Sequence, residues 1–168
     1  GKVKSIGCSN LDAHQLSEAL DVARQNELPA YQVLQPEYNL YARNSFEGPL
    51  ADFCVKRGLG VVSYYALASG FLTGKYRSPA DFGQSQRGGS MGKYLNSRGM
   101  GILNALDTVA SRHDARPGEV ALAWLMAQPG VTAPIASASS VAQVESFAKA
   151  ASLALTDDDL SLLNAASG

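Results

Sequence analysis

Four strand-like runs, each followed by helix-like sequence, alternate along the chain, and this alternation sharply narrows the folds open to it. Residues 3–8 (Val-Lys-Ser-Ile-Gly-Cys), 31–34 (Tyr-Gln-Val-Leu), 61–65 (Val-Val-Ser-Tyr-Tyr) and 131–136 (Val-Thr-Ala-Pro-Ile-Ala) hold β-branched and aromatic residues that favour extended backbone. Between them apolar residues recur at helical spacing, as in Leu16, Ala19, Leu20 and Ala23, or Ile102, Leu103, Leu106, Val109 and Ala110. A further helix is expected over 46–57, with Leu50, Phe53 and Cys54 on one face and Gly58 and Gly60 stopping it. Asp12 suits a helix N-cap, Pro117 a first helical position, and Thr156 with Asp159 a capping box. Strand–helix alternation implies a parallel sheet with helical crossovers. A closed (β/α)8 barrel takes eight such units in about 250 residues; the chain has 168 residues and four units.

Composition excludes several functional classes. The formal charge is −1 and charged residues are 17%, so nothing favours electrostatic binding to nucleic acid or to an anionic membrane. No apolar run is long enough to span a bilayer, and no secretory n-region and h-region stands out, so a cytoplasmic protein is expected. Cys8 and Cys54 form no metal-spaced pair and read as free buried thiols. His14 and His113 stand apart on expected helices and read as solvated; no metal site is expected. Trp124, at helical spacing with Val120 and Ala121, reads as core. Residues 77–98 are polar, Gly-rich and without periodicity, which suits a lid loop or a disordered segment.

The stretch Val61–Tyr76 carries the strongest functional signal. It opens as a strand and passes into small residues and glycines, where Ser69, Gly70 and Gly74 allow backbone amides to approach a ligand and Lys75 adds a positive charge. A phosphate-bearing ligand fits such a loop. The run Gly70–Tyr76 is not a nucleotide P-loop, because one spacer residue is missing and Tyr76 stands where a Mg²⁺-binding hydroxyl belongs. A kinase or NTPase is therefore rejected.

This loop resembles the aldo-keto reductase family, in the branch that includes bacterial aldo/keto reductases and potassium-channel β subunits. The resemblance recurs, in family order, at Ile6-Gly7-Cys8-Ser9-Asn10, at Gln32 to Leu40, at Val120 to Leu125 and at Pro134 to Ser139. It covers nearly the whole chain and implies the C-terminal half of a TIM barrel, the last four βα units, as one domain over 1–168. It also implies an NADP-dependent oxidoreductase, with NAD as the other possible cofactor, moving hydride between a nicotinamide and an aldehyde or ketone. In the family the catalytic tyrosine, lysine, aspartate and histidine come from the barrel's first half, and no position here matches them. No catalytic residue is assigned, and the chain alone is expected to be catalytically incomplete.

What the resemblance implies here is a cofactor-binding set. Ser9, Asn10 and Gln35 match the partners of the nicotinamide carboxamide, a group that both donates and accepts hydrogen bonds. Tyr64 matches the aromatic that stacks on the nicotinamide ring, and Tyr65, Leu67 and Ser69 match positions along the pyrophosphate. Lys75 matches a pyrophosphate-neutralising lysine and Arg87 a lid arginine, while Ser137, Ser139 and Gln143 match positions around the adenosine 2′-phosphate and adenine. The sequence departs from the family at Tyr65-Ala66, where Ser-Pro is usual, and at Ser146-Phe147, where Glu-Asn is usual. Residues 137–147 also contain no Lys or Arg. The alternative is a non-enzymatic half-barrel module, pairing with itself or with a separate N-terminal half through its open face.

Overall fold

The computed structural model describes residues 1–85 and 87–168. Four strands, β1 (Ile6–Ser9), β2 (Tyr31–Gln35), β3 (Gly60–Ser63) and β4 (Val131–Pro134), form one sheet in the order β1-β2-β3-β4. Every pairing is parallel. The intervening helices are α1 (Ala13–Gln25), α2 (Pro49–Arg57), α3 (Ser97–Arg112) and α4 (Pro117–Met126), with α5 (Val141–Ser152) and α6 (Asp157–Ser167) after β4. This is half of an α/β barrel, as the alternation of the sequence implied.

Local chemistry explains the boundaries. Asp12 caps α1 by accepting from the Gln15 N–H at 2.8 Å, and Gln15 Oε1 accepts in return from the Asp12 N–H. Helix α2 starts at Pro49, three residues later than its sequence suggests, because Gly48 takes a φ of 86° immediately before it. Strand β3 stops at Ser63, since Tyr65 turns into left-handed backbone at φ 53°. At Gly7 a side chain is forbidden by close approach: a Cβ there would lie 2.7 Å from the Val33 carbonyl oxygen.

The core lies between the sheet and the helices. Leu34 and Val61 of the sheet are fully buried there with Leu16, Ile102, Leu106, Val120 and Trp124. The strand residues that alternate with them, Val33 and Val62, are only half-buried, so the other sheet face is not covered to the same depth. Trp124 is core as expected, and its Nε1–H donates to Asn164 Oδ1 at 3.0 Å. Burial pushes both free thiols, Cys8 and Cys54, above their ordinary values, Cys54 to about 11. Neither is primed as a nucleophile.

Residues 77–98 contain two 3₁₀ turns, Pro79–Gln84 and Gly88–Tyr94. Arg77 ties the segment to α3 through Asp107 at 2.8 Å, and Met91 and Tyr94 are buried.

His113 corrects the sequence expectation of a solvated histidine. It ends α3 with its side chain 21% exposed, and Nε2 lies 2.7 Å from Oδ2 of the buried Asp159. Arg112 donates to the other oxygen at 2.7 Å, and the Thr156 hydroxyl donates at 2.8 Å. Burial acts to raise the Asp159 pKa, but the hydrogen bonds from His113, Arg112 and Thr156 outweigh it and hold the carboxyl well below the usual carboxylate range. The partner came from 46 residues away in sequence, so spacing around His113 could not reveal it. His14 is exposed, as expected.

Two outcomes follow from this packing. A depressed Asp pKa contributes stability that is full above the ordinary value of about 3.9 and fades as pH falls below it. In urea melts, Asp159→Asn is therefore expected to be less stable than wild type at pH 7, with the gap narrowing between about pH 5 and pH 2. Ser63 is buried on β3, and its hydroxyl has no hydrogen-bond partner among the described residues. An unpaired buried hydroxyl is destabilising, so Ser63→Ala is expected to raise stability by about 1 kcal/mol in the same melts.

Candidate functional site

The parallel strands deliver their C-terminal ends to one rim, and the loops beyond them build a groove of about 1020 Å³. One wall is the segment after β3: Tyr64, Tyr65, Leu67, Ser69 and Gly70, continuing to Thr73 and Lys75. The opposite wall is Ile135 to Ser139 after β4, with Gln143 and Phe147 of α5. Of the twelve residues expected from sequence, the groove brings together nine: Tyr64, Tyr65, Leu67, Ser69, Lys75, Arg87, Ser137, Ser139 and Gln143.

The other three gather beside Tyr64 rather than along the groove. The Tyr64 hydroxyl donates to Asn10 Oδ1 at 3.0 Å, and the Ser9 hydroxyl donates to the Gln35 carbonyl at 2.7 Å. Asn10 holds left-handed backbone at φ 58°, which asparagine tolerates better than most residues. Burial, then the Glu37 carboxylate and Tyr65, push the Tyr64 phenol above its ordinary value despite the opposing hydrogen bond to Asn10. At neutral pH this phenol is an uncharged donor with an aromatic face.

The loop after β3 is backbone-strained. Tyr65, Ala68 and Ser69 all have positive φ, at 53°, 47° and 58°, and Gly70 follows at 99°. Three non-glycine residues in this region persist only where their surroundings hold them. Asn39 supplies part of that hold. It is 1% exposed; its Nδ2 donates to the Tyr65 carbonyl at 3.0 Å, while its Oδ1 accepts from the N–H groups of Tyr41 and Ala42, each at 2.9 Å. Lys75 is drawn over the Tyr76 ring, its Nζ 5.0 Å from the centroid.

Electrostatics select the ligand class. Lys75, Arg87 and Arg116 line the groove, and no Asp or Glu does among the described residues. Serine and threonine hydroxyls accompany the cations, and Leu122, Ile135 and Phe147 add apolar surface. An elongated anion with an aromatic or apolar part fits this set. A second hollow of about 590 Å³ behind Tyr64 is lined by Asp12, Glu37 and Glu47, the wrong sign for such a ligand. Sequence reasoning missed Arg116, Ile135 and Thr73 as groove residues. A signal existed for Arg116: it immediately precedes Pro117 at the first position of α4, so its side chain emerges beside a helix start on the same rim.

A model of the aldo/keto reductase family matches residues 1–167. The chain belongs to the aldo/keto reductase family. It is 33% identical over 149 residues to a probable voltage-gated potassium channel subunit beta of Oryza sativa subsp. japonica, covering 86% of this chain and 45% of that one. Protein tas of Escherichia coli (strain K12) is 29% identical over 167 residues, covering 98% and 48%. Aldo-keto reductase yakc [NADP(+)] of Schizosaccharomyces pombe is 28% identical over 160 residues, covering 94% and 46%. In three dimensions the chain is similar to the thermostable aldo-keto reductase Tm1743, crystallised with the inhibitor epalrestat. The TM-score is 0.70 at 26% identity, over 96% of this chain and 48% of that one. The chain thus spans about half the length of the relatives it matches. Among the described residues no helix is long and apolar enough to cross a membrane.

The buried amide of Asn39 is the checkable support of this aldo/keto reductase groove. Asn39→Ala leaves the Tyr65 carbonyl and two N–H groups without their partner, so a loss of about 1–3 kcal/mol is expected in urea melts.

Proposed function

We propose that this chain forms the cofactor-binding half of an NADP-dependent aldo-keto reductase, and that the residues performing acid catalysis lie outside it. The observation that carries the reading is the charge pattern of the groove: three cations and no carboxylate along a cleft with aromatic and hydroxyl groups. A nicotinamide dinucleotide has that character, with two flat rings joined by phosphates.

In this reading the residues divide the work. Ser9, Asn10 and Gln35 orient the carboxamide end, with Ser9 and Gln35 already joined to each other. Tyr64 offers its ring face there, fixed in rotation by its hydrogen bond to Asn10. Tyr65, Leu67, Ser69 and Lys75 serve the phosphates, and Arg87, from the 77–98 segment, closes over them as part of a lid. Ser137, Ser139 and Gln143 take the adenosine end. The bound cofactor supplies hydride to an aldehyde or ketone; these residues bind it, orient it and keep water from its reactive face. The cytoplasm is the proposed location, in keeping with two unpaired cysteines.

The tests separate binding from turnover. NADPH fluorescence should titrate on adding the purified protein, and Lys75→Ala should weaken the binding about tenfold, the effect of roughly 1.4 kcal/mol. The same protein should show no carbonyl reduction. Absence of any NADPH binding sinks the cofactor assignment, and measurable turnover would mean that a proton donor resides in this chain.

A further inference from the structure

We propose that Arg116 sets the preference of this protein for a 2′-phosphorylated dinucleotide over its unphosphorylated counterpart. The proposal rests on the reading of the groove as a dinucleotide site.

The adenosine wall of the groove has no positive charge of its own. Residues 137–147 include no Lys or Arg. Three of the polar side chains there, Ser139, Gln143 and Ser146, are engaged in contacts of their own. Gln143 Oε1 accepts from the Ser139 N–H at 2.7 Å and from the Ser139 hydroxyl at 3.3 Å. The Ser146 hydroxyl donates to Glu119 Oε1 at 2.7 Å. Neutral hydroxyls and amides hold a dianionic phosphate weakly compared with a guanidinium.

Arg116 supplies that charge from a different element. It is the N-cap of α4, and its backbone is fixed on both sides by Glu119. The Arg116 N–H donates to Glu119 Oε2 at 2.9 Å, and the Arg116 carbonyl accepts from the Glu119 N–H at 2.9 Å. Glu119 is 2% exposed, and its other carboxylate oxygen is the one held by Ser146 of α5. One buried carboxylate therefore joins the stem of Arg116 to the adenosine wall. Arg116 is exposed and lines the groove, and its guanidinium forms no ion pair among the described residues. Glu119 does not line it, so no carboxylate competes for the cation there. Lys75 follows the strained loop after β3 and Arg87 stands beside Ser85. The start of α4 packs against that same loop at Thr73 and Gly74, and of the three cations Arg116 is the one whose backbone is tied, through Glu119, to Ser146 of α5.

The experiment compares NADPH and NADH binding by wild type, Arg116→Gln and Arg116→Lys, with urea melts to confirm that each variant is folded. Wild type is expected to bind NADPH at least tenfold more tightly than NADH. Arg116→Gln should bring the two within about twofold by losing NADPH affinity alone, and Arg116→Lys should keep part of the preference. Competition by 2′,5′-ADP should weaken in Arg116→Gln, and competition by 5′-ADP should not. Equal binding of both dinucleotides by wild type overturns the proposal and leaves the groove assignment standing. So does an equal loss of both in Arg116→Gln, which would assign the arginine to the pyrophosphate. If wild type binds neither dinucleotide, the groove assignment falls and the proposal falls with it.

Discussion

Because β1 to β4 run parallel, their C-terminal ends meet on one rim, and residues from four distant parts of the sequence become neighbours there. Ser9 is paired with Gln35 in the ladder, Ser63 with Pro134, and Glu37 with Tyr64 just beyond it. An antiparallel arrangement of the same strands would send alternate loops to opposite ends and divide these groups. The crossover helices make the parallel order possible, and their burial against a single sheet face holds it. The site is thus a consequence of chain direction before it is a matter of particular side chains.

Chain direction alone does not hold loops in strained shapes. That task falls to buried polar contacts behind the rim. Asn39 fixes the turn at Tyr65 from below. Four residues on, Arg43 pairs with Glu47 at 2.7 Å, stacks over Trp124 and donates to the Asn164 carbonyl and the Ser167 hydroxyl of α6. Arg98 donates to the carbonyls of Tyr41 and Ser167. The loop between β2 and α2 is therefore tied both to the ligand-facing turn and to the last helix. Cations at the carbonyl end of α6 also suit its dipole. The same helix is held at its start by the Asp159 cluster, so both of its ends are fastened to α3 or to this loop.

Much of this was legible from residue order. Period and breakers located all four strands, and the caps at Asp12 and Thr156 and the helix start at Pro117 are where residue type placed them. Boundaries slipped where backbone conformation, rather than propensity, decided them. Val61 to Tyr65 reads as one run of strand formers, yet Tyr65 leaves the strand because Asn39 captures its carbonyl from 26 residues away. Likewise Ile135 and Ala136 continue the β4 pattern but belong to the groove wall. His113 was misread because its partner lies on another helix. The groove residues were found through a family pattern; Arg116 lies outside that pattern, and only the assembled rim shows that it faces the same cleft.

The two hollows beside Tyr64 show how little of a site is shape. They share that tyrosine as a wall. Their charges differ in sign: Asp12, Glu37 and Glu47 on one side, Lys75, Arg87 and Arg116 on the other. A net charge near zero for the whole chain conceals this separation, since opposite charges cancel in a sum while remaining on different faces. Within a Debye length of about 8 Å at physiological salt, it is the local set that a phosphate meets. The acidic side is unfavourable for an anion behind Tyr64, and the basic side is favourable for one along the groove. Tyr64, held by Asn10, stands at the boundary between the two charge sets, which is the position the proposed function requires of the aromatic that meets a ligand's ring.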